Sequence, residues 1–173
     1  MTCIAVSGPI AVGKSAIATA LALELGGKRL YVPDELKDLV QGLPTREALR
    51  RAGDDLATRT NGRWIADVVA RRLSETALIV LDAIRRPIED AAMRSRFEGS
   101  YVRLFLDASQ EELMQRATRR VDSGLGHSSG GAWQQEPDTD ELRRTADLAV
   151  DTTGMTEEQA VAVVLGNLST LGG

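Results

Sequence analysis

Short apolar runs alternate along the chain with longer stretches in which apolar residues recur every three or four positions. This alternation predicts strands separated by amphipathic helices, the pattern of a parallel sheet covered on both faces. Strands are expected at 3–7, 29–32, 77–81, 101–106 and 146–150. Between them, Ile17, Leu21 and Leu25 form one helical stripe that stops at Gly26-Gly27, and Trp64, Ile65, Val68, Val69 and Leu73 form another. Residues 34–73 read as two or three helices, with Asp34, Thr45 and Asn61 as candidate N-caps. Pro87 suits the first turn of the next helix, and a further helix is expected from Ser109 through Arg120. Thr156 and Gln159 have the spacing of a capping box for the last helix, with Ala160, Val163, Val164 and Leu168 as its stripe. Residues 122–140 show no apolar period, and a polar stretch of that length inside a compact domain reads as a lid. The fold class is therefore α/β: a five-stranded parallel sheet with helices on both faces, a helical insertion at 34–73 and a short lid at 121–140, all in one domain over 1–173.

The first turn of this pattern carries chemistry. Gly8-Pro9-Ile10-Ala11-Val12-Gly13-Lys14-Ser15 fits G-x-x-x-x-G-K-[ST] between a strand and a helix. Glycines let the chain bend close to a phosphate, and the backbone N–H groups from Ala11 to Ala16 with the helix dipole bind its oxygens. In such a loop Lys14 reaches the β and γ phosphates and the Ser15 hydroxyl serves Mg²⁺, so ATP and Mg²⁺ are the expected cofactors. Asp82, at the end of the third strand, is a second candidate for Mg²⁺, through water; its bland reading is a helix cap. Arg85 and Arg86 follow it and suit bidentate anion binding.

Composition narrows the chemistry further. One Cys and one His exclude a disulfide scaffold, a zinc site and a His-based charge relay. Cys3, inside an apolar run, reads as core filling, and the cytoplasm is the expected location. No run approaches a membrane span, and the first residues lack the basic flank of a signal peptide. The net charge is −4, but it is unevenly spread: 19 basic against 16 acidic residues up to position 120, and 2 against 9 after it. An acidic total disfavours DNA as acceptor without excluding it, since 46–72 carries seven basic and four acidic residues. A guanine reader of the Asn-Lys-x-Asp type is absent, as neither Asn61 nor Asn167 precedes Lys.

With these residues in place, the chain resembles the nucleoside-monophosphate-kinase-like P-loop kinases, a group that includes adenylate kinase, dephospho-coenzyme A kinase and the phage deoxynucleoside monophosphate kinases. Asp82-Ala83-Ile84-Arg85-Arg86 lines up with the Asp-Gly-Phe-Pro-Arg segment of adenylate kinase, which puts Arg86 at the acceptor-binding arginine. The resemblance covers about residues 2–168 and implies a P-loop NTPase fold, acceptor helices at 34–73, and Arg116, Arg119 and Arg120 at the lid base. Related by i, i+3 and i+4, these three arginines are able to serve one ligand, with Arg119 acting in transfer and Arg116 and Arg120 on the nucleotide. Where the group commonly has Arg after the second strand, this chain has Lys37, a point charge.

Three functions stay open, the first being the expected one and the other two its alternatives. The first is a kinase of a (deoxy)nucleoside monophosphate, with Asp34, Lys37, Arg46, Arg85 and Arg86 at the acceptor. The second acts on a hydroxyl of dephospho-coenzyme A, a small metabolite, or a hydroxymethylpyrimidine in nucleotide or DNA; Asp34 is then the general base, although it reads equally as a cap. The third is a nucleotide-binding regulatory module without transfer activity.

Overall fold

A computed structural model describes residues 1–42, 44–122 and 138–171, with 120–122 described by backbone alone. Strands β1 (Cys3–Ser7), β2 (Lys28–Tyr31), β3 (Ile79–Asp82), β4 (Tyr101–Asp107) and β5 (Leu148–Asp151) make one parallel sheet in the order β2-β3-β1-β4-β5. Successive residues of a strand face opposite sides, and β1 shows the result. Cys3 and Ala5 join one apolar cluster, Ile4 and Val6 the other.

The helices are α1 (Lys14–Glu24), α2 (Val32–Leu36), α3 (Arg46–Thr60), α4 (Arg63–Arg72), α5 (Pro87–Arg96), α6 (Gln110–Asp122), α7 (Thr139–Arg144) and α8 (Glu157–Leu171). Ile17, Ala18 and Leu21 of α1 and Ala160, Val164 and Leu168 of α8 cover the Ile4 face. Trp64, Ile65, Val68 and Val69 of α4, Met93 of α5 and Leu142 of α7 cover the Cys3 face. Each fully buried Leu, Ile or Val contributes about 1.5–3 kcal/mol relative to exposure, so these two layers dominate the stability. Burial pushes the Cys3 thiol up to about 12, as expected of core filling.

Several local features follow from the caps. The Thr45 hydroxyl accepts from the Ala48 N–H at 3.2 Å and opens α3. Thr156 and Gln159 exchange both bonds of the capping box, at 2.9 and 3.3 Å. Asn61 does not cap α4: it closes α3 at φ 52°, and Gly62 opens α4 at φ 75°. Only glycine fits there, because a Cβ would lie 2.9 Å from the Glu89 Cα and overlap the Ile88 carbonyl. Asp34 is likewise not an N-cap; Tyr31 holds that position, and Asp34 lies in the first turn of α2, before a 3₁₀ turn at Lys37–Leu39. Strand ends differ from expectation by one or two residues, β3 beginning at Ile79 and β5 at Leu148.

The flanking helices reach further than the sequence indicates, α6 extending to Asp122 and α7 beginning at Thr139. Most of the expected lid, with His127 and Trp133, lies outside the described residues. A buried ionic network anchors α7. Arg103 of β4, with no exposed surface, ion-pairs Asp90 Oδ2 through Nη1 at 2.7 Å, and its Nη2 donates to the Leu142 carbonyl and Thr145 Oγ1. Asp90 also accepts from Tyr101 Oη and Arg94 Nε, and Arg94 donates with both Nη atoms to Asp147. Among the described residues no helix is long and apolar enough to cross a membrane.

Candidate active site

The strand order reverses direction at β1, whose neighbours are β3 and β4. In an open α/β sheet the crevice beyond the carboxyl ends at such a point receives ligands, and the Gly8–Ser15 loop starts there. Gly8 adopts φ 138°, and a Cβ on it would lie 3.2 Å from both the Leu106 carbonyl carbon and Val12 Cγ1 and overlap the Leu106 oxygen. The loop is therefore seated directly against β4, an approach that only glycine permits. Ala11, standing where an inner glycine is common, is held at φ 67°.

No side chain caps the N-terminus of α1, and its first turn holds no acid. Its leading N–H groups and positive dipole end thus face the crevice with no side-chain acceptor, a disposition suited to phosphate oxygens. Lys14 Nζ curls back over the loop and donates to the Gly8 and Pro9 carbonyls, each at 2.7 Å. This places its charge over the loop's concave side. Ser15 is exposed one residue further along α1.

Arg116 joins α6 to this loop. Its Nη1 donates to the Val12 carbonyl and to Thr152 Oγ1, both at 3.1 Å, its Nη2 to the Thr152 carbonyl at 2.8 Å, and its Nε to Glu112. Arg119 diverges from it and lines an open groove along α6 with Met114, Gln115 and Thr118. Of the three lid-base arginines, then, Arg116 reaches the loop and Arg119 faces another way; the side chain of Arg120 is outside the described residues.

Asp82 ends β3, in register with Val6 of β1 and Tyr31 of β2, and is almost fully buried. The following peptide, Asp82–Ala83, is cis. The carboxylate is paired with Arg29 of β2, a residue the sequence reading passes over. Among the described residues no three His, Cys, Asp or Glu side chains converge as a metal cage. The donors that do sit at the crevice, the Ser15 hydroxyl and the Asp82 carboxylate, are hard oxygens, the kind Mg²⁺ accepts while the nucleotide and water complete its shell.

On the β2 side, Asp34 and Lys37 form an ion pair at 2.5 Å, both about half exposed, and the Asp34 hydrogen bond raises the Lys37 ammonium above its ordinary value. Arg86 precedes α5 and clasps Asp54 of α3, with Nη1 on its carbonyl at 3.2 Å and Nε 3.3 Å from Oδ1. Arg85 is half-buried beside it, and Arg46 is exposed at the start of α3. Beneath Arg86, buried Glu89 accepts from Trp64 Nε1 at 3.0 Å. Burial raises the Glu89 carboxyl above its usual range, against the opposing pull of Trp64, the Arg85 and Arg86 backbone and the Arg86 charge. The structure thus gathers Lys14, Ser15 and Arg116 at the loop, Asp82 beside it, and Asp34, Lys37 and Arg86 on the β2–β3 side. Arg29 and Thr152 are the contributors that sequence reasoning missed; both depend on strand register or on a distant turn.

No family model matches this chain, and no curated protein matches it. Solved structures do. A gluconokinase from Sinorhizobium meliloti 1021 is similar at 20% identity and a TM-score of 0.62, over 98% of this chain and 93% of that one. A shikimate kinase from Acinetobacter baumannii, in complex with shikimate, is similar at 20% identity and a TM-score of 0.59, over 98% and 94%. A shikimate kinase from Aquifex aeolicus is similar at 19% identity and a TM-score of 0.58, over 99% and 100%. At these identities the likeness speaks for architecture alone: over nearly its whole length the chain has the same α/β fold as these solved structures.

Proposed function

We propose that this chain is an ATP-dependent kinase that phosphorylates a hydroxyl group of a small molecule. The observation that carries the choice of acceptor is charge matching on the β2–β3 side: Lys37 is paired with Asp34 and Arg86 with Asp54. A monophosphate dianion needs cations not already neutralised, whereas a hydroxyl needs a base within hydrogen-bond reach. Asp34, half exposed beyond β2 and paired through Oδ1 with Lys37, is the candidate for that role. The structural likeness to shikimate kinase and gluconokinase supports the same reading.

In the reaction the acceptor oxygen attacks the γ-phosphorus as its proton passes to Asp34, and the bond from the γ-phosphorus to the β–γ bridging oxygen breaks to release ADP. Lys14 and the loop N–H groups hold the phosphates in line, and such alignment with charge neutralisation is most of what phosphoryl transfer requires. Mg²⁺, which Ser15 directly and Asp82 through water would hold, supplies further neutralisation of the β and γ oxygens when bound. Arg119 reaches the transferred group only if α6 presents its other face. A (deoxy)nucleoside monophosphate held by Arg86, Arg85, Lys37 and Arg46 is the competing acceptor, favoured by the exposure of Arg46.

The test is ADP formation from ATP with a panel of sugar acids, polyols, dephospho-coenzyme A, hydroxymethylpyrimidine nucleotides and monophosphates. A hydroxyl compound should stimulate turnover, and Asp34→Asn should lower kcat about 10²- to 10⁴-fold, the usual worth of general-base catalysis. Stimulation by monophosphates alone, with Asp34→Asn keeping more than about a tenth of the rate, overturns the hydroxyl reading. Lys14→Ala should abolish transfer whichever acceptor is used.

A further inference from the structure

Asp82 ends β3 at the crevice, and a cation of its own chain already holds it. Arg29 lies two residues before Tyr31, and Tyr31 is the register partner of Asp82, so all three side chains project from one face of the sheet. From that position the guanidinium runs toward the carboxyl end of β3. Its Cζ stands 4.9 Å from the centre of the Tyr31 ring. Nε and Nη2 both donate to Oδ2 of Asp82, at 3.0 and 2.5 Å. The pair is asymmetric in burial, the Arg29 side chain being 30% exposed and that of Asp82 only 3%.

Two donors on one oxygen leave the other uncommitted: among the described residues Oδ1 accepts no hydrogen bond. In the sheet, β3 lies between β2 and β1. Oδ2 is thus held from the β2 side, while β1, from which the phosphate loop continues, flanks β3 on its other side. A buried carboxylate without Arg29 would rotate about its last bond and present both oxygens with full charge. It would then compete for direct coordination of a divalent cation.

We propose that Arg29 is a positioning residue that fixes Asp82 by one oxygen and so limits how tightly the divalent cation accompanying the nucleotide is held. Arg29 touches neither nucleotide nor acceptor in this role. Its effect passes through Asp82, which keeps the acid outside the inner coordination shell and leaves the cation exchangeable with product. The proposal rests on the reading of the loop as a nucleotide site.

The experiment separates the two. ADP titrated into the wild-type protein with EDTA tests the nucleotide site alone, and absence of binding defeats that reading. Mn²⁺ affinity in saturating ADP, followed by the free-Mn²⁺ electron paramagnetic resonance signal, tests Arg29. Arg29→Gln should tighten Mn²⁺ about fivefold, a discounted value for a charge-assisted hydrogen bond with a partly exposed donor. In an Asp82→Asn background the same change should shift Mn²⁺ affinity less than about twofold, because the group through which Arg29 acts is gone. Unchanged Mn²⁺ affinity in Arg29→Gln, or equal tightening in both backgrounds, overturns the proposal. Should Arg29→Gln fail to fold, Arg29→Lys carries the test. Lys is a point charge that does not reproduce the two-donor grip, so Mn²⁺ should still tighten about twofold or more, and no change refutes the proposal.

Discussion

Replacing Gly8 by Ala puts the seating of the phosphate loop to a quantitative test. At φ 138° an L side chain is strained, at a cost of about 1–3 kcal/mol. The added Cβ would lie 3.2 Å from the Leu106 carbonyl carbon and overlap its oxygen. Leu106 belongs to β4, whose backbone is hydrogen-bonded into the sheet between β1 and β5, so the loop and not the strand has to move. Overpacking of this kind costs about 1–3 kcal/mol more. The total, about 2–6 kcal/mol, is divided between two observables. If the loop stays in place the fold loses stability, and if it shifts the nucleotide loses affinity. Urea denaturation gives the first loss and calorimetric titration with ADP the second. Gly166→Ala is the control: it lies in α8 with open space around its Cβ, so it should gain about 0.5–1 kcal/mol of helix stability and leave ADP affinity unchanged. A combined loss below about 1 kcal/mol for Gly8→Ala would refute the close approach of this loop to β4.

Two further outcomes are expected. Glu89 is raised by burial, so the folded state binds its proton at a pH where the unfolded chain has lost it; stability should therefore rise as pH falls from above the raised value toward the ordinary carboxylate range. In Glu89→Gln that increment should be missing while Trp64 Nε1 keeps an acceptor, and parallel urea midpoints for both proteins between pH 8 and pH 5 would contradict this. Arg116→Met removes the donors that tie α6 to Val12 and Thr152, and should cost about 1.5–3 kcal/mol in denaturation with a parallel weakening of ADP binding, since hydrogen bonds from a charged donor have that worth. A variant equally stable and equally tight would remove Arg116 from the nucleotide site.

The layered sheet and the phosphate loop are legible in the sequence because both are local. Period, strand length and an eight-residue motif need no knowledge of distant partners, and the caps are read from residue type at Thr45 and from three-residue spacing at Thr156. Other features depend on register. The Arg29–Asp82 pair follows from Tyr31 lying opposite Asp82, which no spacing across a separation of 53 residues encodes. The same is true of Arg116 and Thr152 and of Asp54, the acid that neutralises Arg86, whereas the Asp34–Lys37 pair is a local one at i, i+3. Asn61 misleads because Asn serves at either end of a helix: a residue tolerant of the left-handed region closes α3 as readily as it would open α4. α7 hides because six polar-rich residues show too little apolar period, and its place comes from the buried Arg103 network.

The division of the core by the sheet has a consequence for how this protein is able to change. The apolar cluster under α1 and α8 and the one under α3, α4 and α5 have no side chain in common. The sheet is in that sense a bulkhead between two compartments, one backing the nucleotide loop and the other backing the helices assigned to the acceptor. Repacking in the second compartment is transmitted to the first only through the strand backbones. Selection, or an engineer, is thereby free to reshape the acceptor wall through positions such as Leu49, Leu56 and Trp64 while the phosphate-handling half stays as it is.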